Sequence, residues 1–118
     1  MKAPHTLRLL AALTLGVAAT AVVASEEADD SGLSYDDKLQ ACAACHGENG
    51  DKPLAPDYPV LAGQYADYLE AALKAYKTGR RQHPIMSMQV EALGLTDSDI
   101  TKLSAHFASK KGLRGLAE

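Results

Sequence analysis

The chain has no tryptophan, one phenylalanine and five tyrosines, so its own aromatic side chains are too few to fill a core. Two cysteines are too few for a disulfide-knit scaffold. A basic excess is also missing, since 12 Lys and Arg stand against 15 Asp and Glu for a formal charge of −3. This balance excludes a nucleic-acid binder, which needs a basic face to grip phosphates. Arg80-Arg81, with Lys74 and Lys77 before them, is the nearest approach to a basic cluster and reads as the cationic end of a helix. No nucleophile sits in register with a base, which excludes an ordinary hydrolase. At 118 residues there is room for one domain.

Residues 1-24 are not expected to belong to that domain. Lys2 and Arg8 precede the apolar run Leu9-Leu10-Ala11-Ala12-Leu13, and Ala21-Val22-Val23-Ala24 leads into an acidic stretch. These are the three regions of a secretory signal peptide, cleaved after Ala24. The apolar run is short for a spanning helix, so membrane insertion is not expected to outlast cleavage, although a retained anchor is the alternative. Residues 25-34 carry Glu26, Glu27, Asp29 and Asp30 and read as a flexible acidic lead-in. Residues 35-118 remain as the folded domain.

Both cysteines fall in Cys42-Ala43-Ala44-Cys45-His46. On a helix, thiols three residues apart face the same side, so each can bond to one vinyl group of a single haem while the adjacent histidine reaches the iron. The motif therefore predicts one haem c attached through Cys42 and Cys45, with His46 as an axial ligand. A structural disulfide or a redox-active dithiol would leave His46 without a purpose, and a zinc site would need a fourth ligand. A buried porphyrin would also supply the flat apolar body that the composition lacks. In an exported protein, haem attachment would use up thiols that would otherwise oxidise.

Ser34 is a suitable N-cap for a helix from Tyr35, with Asp36 and Asp37 at its positive end and Gly47 as its stop. From Gly47 to Gly63, Pro53, Pro56 and Pro59 break any regular element. A stiff loop beside an axial histidine can hold its imidazole N–H with a backbone carbonyl, and Pro56 is the expected donor of that carbonyl. Gln64 to Thr78 is helical, with Tyr65, Tyr68, Leu69, Ala72, Leu73 and Tyr76 forming one stripe. Arg80 to Leu95 reads as a second irregular stretch on locally extended backbone. It carries Met86 and Met88, only one of which could face the iron, with His83 as a rival ligand and His106 behind it. A last helix starts at Thr96, buries Ile100, Leu103, Phe107 and Ala108, and runs to about Lys110. Arg80 or Arg81 could instead bind a haem propionate.

Together, Cys42-Ala43-Ala44-Cys45-His46-Gly47, Pro59-Val60-Leu61-Ala62-Gly63-Gln64, Ile85-Met86 and Leu95-Thr96-Asp97 resemble the small class I cytochromes c of bacterial periplasms. The resemblance spans roughly Tyr35 to Leu113. It implies an all-α fold of three main helices plus short turns wrapped around the haem, with His/Met axial ligation. Pro84-Ile85-Met86 and Gln89 favour Met86 as the sulfur ligand. Counting back from Leu95-Thr96-Asp97 favours Met88, which stays as the alternative.

The resemblance also implies a periplasmic one-electron carrier, not an enzyme, that works between redox partner proteins. It leaves open a weak pairing of two copies. The alternatives are a haem subunit of a larger oxidoreductase, or a small-ligand-binding or sensory haem protein.

Overall fold

Two serine/threonine capping boxes set where the first and last helices begin. In the computed structural model, which describes residues 31-113, Ser34 Oγ accepts the Asp37 N–H at 3.2 Å while the Asp37 carboxylate accepts the Ser34 N–H at 3.0 Å. This starts α1, Tyr35–His46. Gly47, at φ 91°, turns the chain out of the helix and donates back to the Ala43 carbonyl at 2.8 Å. Thr96 and Asp99 repeat the same reciprocal bonds at the start of α4, Asp97–Ala108. The proposed signal peptide, most of the acidic lead-in and the last residues of the expected domain lie outside the described residues.

The tyrosine-striped helix is α2, Ala66–Lys77, which starts two residues later than expected. The Gln64 side-chain oxygen accepts the Tyr65 N–H at 2.8 Å, which keeps both residues ahead of the first turn. The expectation of irregular backbone from Arg80 to Leu95 needs correction, because Pro84–Ala92 forms a fourth helix, α3. Pro84 does not break this helix, because it stands at the first helical position, where its missing N–H costs nothing. His83 is the unforeseen cap: its Nδ1 accepts the N–H groups of Ile85 and Met86, each at 3.3 Å. The last helix ends at Ala108, short of Lys110.

All four elements are helices, and no strand occurs among the described residues. Val90, Leu95, Ile100 and Leu103 form the buried centre, against which Tyr35, Leu39, Cys42, Leu73, Tyr76 and Leu93 pack. The α1 face that carries the cysteines therefore looks into the core.

The loop between α1 and α2 is tied down at several points. The Gly50 carbonyl accepts from Leu61 and Ala62, Cys45 O accepts from Leu54 N, and Gly63 N donates to Phe107 O on α4. A Cβ on Gly50 would stand 2.7 Å from Phe107 Cδ1, so only glycine lets the loop lie this close to α4.

Candidate haem site

A cavity of about 1100 Å³ opens between α1, the proline-rich loop and the inward faces of α2, α3 and α4. Its size lies just above the usual range for ligand and cofactor pockets, ~300–1,000 Å³. Leu69, Leu73, Ile85, Val90, Leu103 and Phe107 supply much of its wall. Cys42, Cys45 and His46 border it from α1, and Met86 borders it from α3. The two cysteines are unpaired and half-buried.

The wall also contains Ser104, which is 1% exposed and whose hydroxyl has no hydrogen-bond partner among the described residues. Buried hydroxyls are rarely left unpaired, and one lining a large apolar cavity fits a wall built against a bound group. Size, apolar lining, paired thiols and this orphaned hydroxyl all fit a haem.

The rival readings of the cysteines fare worse. Burial, with Cys45 adding to it, would push a free Cys42 thiol up to about 11, so it would stay protonated and unreactive at neutral pH. That is unlike a redox-active dithiol. Among the described residues, no group of three or more His, Cys, Asp and Glu side chains is arranged to hold a metal ion, so Cys42, Cys45 and His46 do not complete a zinc tetrahedron.

His46 is buried at 7% exposure, and its Nδ1 lies 2.9 Å from the Pro59 carbonyl. With that carbonyl as acceptor, Nδ1 carries the proton and Nε2 keeps the free lone pair, the state needed for a neutral imidazole ligand. The Tyr58 ring leans on the imidazole at 6.3 Å between centroids. The expected carbonyl was that of Pro56, and this is corrected to Pro59. Pro56 borders the same cavity but does not hold the histidine. The loop runs three residues further before it turns across the ring, and proline spacing alone does not reveal this.

Met86 and Met88 share α3, so they are separated by about 200° around the helix. Met86 is half-buried against the cavity, whereas Met88 is 57% exposed and does not line it. His83 borders the cavity too, but its Nδ1 serves the cap of α3. His106 stands edge-on to Phe107 at 5.1 Å and is not part of the wall. Arg81 borders the cavity and lies over the Tyr76 ring at 4.9 Å, while Arg80 Nε donates to the Thr78 hydroxyl at 3.3 Å.

Sequence reasoning did not find Pro59, Ser104 or the buried pair of Lys38 and Asp99. Lys38 carried a readable signal, since it falls between Tyr35 and Cys42 on the apolar stripe of α1.

Comparison with known proteins agrees with this geometry. Residues 35–111 match the family model described as cytochrome c. Over 77 residues the chain is 43% identical to cytochrome c-554(548) of Halomonas halodenitrificans, a match covering 64% of this chain and 92% of that protein. It is 36% identical over 106 residues to cytochrome c4 of Pseudomonas aeruginosa, which covers 90% of this chain and 49% of that protein. It is also 36% identical over 73 residues to the thiosulfate dehydrogenase electron acceptor of Thiomonas intermedia, covering 61% of this chain and 33% of that protein. The chain thus spans nearly all of the first relative and half or less of the other two. A matching family model over residues 35–111, two cysteines in attachment spacing and a haem-sized apolar cavity lead to one conclusion: the chain belongs to the cytochrome c family, as an electron carrier with one haem c bound covalently through Cys42 and Cys45.

Proposed function

We propose that His46 and Met86 are the two axial ligands, and that the protein carries single electrons between redox partner proteins in the periplasm. The observation that carries this reading is that both side chains border the cavity that also receives Cys42 and Cys45, while Met88 faces solvent. Bound there, haem supplies a one-electron couple, and the chain decides how that couple is held.

Cys42 and Cys45 tether the group to α1. Pro59 keeps the His46 ring in one orientation and strengthens it as a ligand. Met86 offers a thioether, and thioether ligation together with apolar burial favours the reduced state and a fairly high potential. Arg81 borders the cavity and can pair with a propionate. With His46 and Met86 both bound, the group would have no open position for an outside ligand and would only exchange electrons, which separates a carrier from a ligand sensor.

Periplasmic work requires export by residues 1-24, tested by N-terminal sequencing of the mature protein, which should begin at Ser25. The relative named as the electron acceptor of a thiosulfate dehydrogenase supports an enzyme as one class of partner.

The decisive experiment exposes the reduced native protein to carbon monoxide. A carrier with two protein ligands binds it slowly or not at all. Rapid binding overturns the assignment in favour of an open, ligand-binding site.

A further inference from the structure

We infer that His83 is a positioning residue: it caps α3 so that Met86 is held on the haem side of the cavity. The inference rests on Met86 being the sulfur ligand. Met86 is the third residue of α3, so its place depends on whether the first turn stays wound. That turn has few internal supports. Pro84 has no N–H, and the N–H groups of Ile85 and Met86 precede the first intrahelical partners. Both are taken by one atom, His83 Nδ1, at 3.3 Å each. The His83 backbone is held in return, because its main-chain N–H donates to Ser87 Oγ at 3.1 Å, one turn along the same helix.

Serine, threonine, aspartate and asparagine are the usual caps. Here the cap is an imidazole that itself borders the cavity. Two backbone donors on Nδ1 put the ring proton on Nε2, so the same nitrogen cannot also bind a metal. His83 therefore acts on the haem through Met86, not by competing with it.

A ligand that displaces a protein sulfur must wait for the segment bearing it to open, so its apparent affinity measures that opening equilibrium. The test is imidazole titration of the oxidised holoprotein. His83→Ala should raise imidazole affinity about fivefold, the size expected for loss of one N-cap. His83→Asn, which restores a capping oxygen, should return it to within about twofold of the parent. Amide exchange at Ile85 and Met86 should rise in His83→Ala and fall back in His83→Asn.

Unchanged imidazole affinity in His83→Ala overturns the proposal. So does a rise that His83→Asn fails to reverse, which would assign the effect to the ring's bulk. The ligand assignment fails separately: Met86→Ala would then keep the sulfur-to-iron absorption band, whatever His83 does.

Discussion

The ammonium of Lys38 on α1 lies 2.8 Å from Oδ2 of Asp99 on α4, with the lysine entirely withdrawn from solvent. Lys38 Nζ also reaches the Gly94 carbonyl at 3.4 Å, in the turn that joins α3 to α4. The same Asp99 oxygen accepts from the Thr96 N–H and hydroxyl, completing the cap of α4. One carboxylate thus joins the cap of the last helix to the helix that carries both haem cysteines.

Removing the lysine leaves a largely buried charge without its partner. Lys38→Ala should lower the stability of the holoprotein by about 3 kcal/mol, the lower end of the range for a broken buried pair. Asp99→Ala should cost at least as much, because the helix cap goes with it. The double variant should lose less than the two single losses combined. Guanidinium unfolding followed by the helix signal checks the series. Strict additivity would mean the pair does not act as a unit.

Acid should act in two stages. Burial pushes the Asp99 carboxyl up, but hydrogen bonds from Lys38 and Thr96 outweigh it and hold the group below its usual range. A depressed carboxyl stabilises fully above the unfolded value of about 3.9, and that contribution is lost as pH falls through the lower folded value. Asp37, held down by Ser34, follows the same sign. His106 is also depressed, by burial and by Lys110. Its contribution is complete above the unfolded value of about 6.5 and declines as pH falls through that region. Melting temperature against pH should show a shallow fall below about 6.5 and a steeper one below about 4. His106→Asn should remove the first limb, and Lys38→Ala should weaken the second.

Met86 and Met88 offer a direct comparison of two residues on one helix. Met86→Ala should abolish the sulfur-to-iron charge-transfer band of the oxidised protein and lower the reduction potential, since a thioether ligand raises it. Met88→Ala, at an exposed position, should leave the band in place and change stability by less than about 0.5 kcal/mol. Loss of the band only in the Met88 variant would reverse the assignment.

Much of this site can be read along the chain because its chemistry depends on local spacing. Cys42, Cys45 and His46 occupy one helical turn, and the Ser34 and Thr96 caps announce the helices that follow them. Contacts made across the fold are a different matter. The Pro59 carbonyl lies thirteen positions from His46, and Lys38 lies 61 positions from Asp99. Neither distance leaves a periodic trace. Helix α3 is not legible in the sequence because it is short, begins at a proline and is capped by an imidazole. An isolated helix of 9 residues is marginal in water, so the packing of Val90 into the core has to complete what the cap begins.

Two glycines should respond to substitution for different reasons. A Cβ on Gly112 would collide with the Ala62 carbonyl oxygen and would stand 2.7 Å from Ala62 Cβ, where the C-terminal segment closes over the loop. That carbonyl already accepts the Leu113 N–H at 2.9 Å, so it cannot move aside freely. A Cβ on Gly79 would meet nothing within 4 Å among the described residues, but its φ of 73° lies in the left-handed region. Gly112→Ala should therefore cost about 2 kcal/mol through overpacking, and Gly79→Ala about 1 kcal/mol through backbone strain alone. Asparagine tolerates the left-handed conformation, so Gly79→Asn should recover part of its loss, while Gly112→Asn should be worse than Gly112→Ala. Thermal unfolding of the four holoproteins separates the two mechanisms. Equal recovery by asparagine at both sites would show that backbone conformation, not contact, governs Gly112.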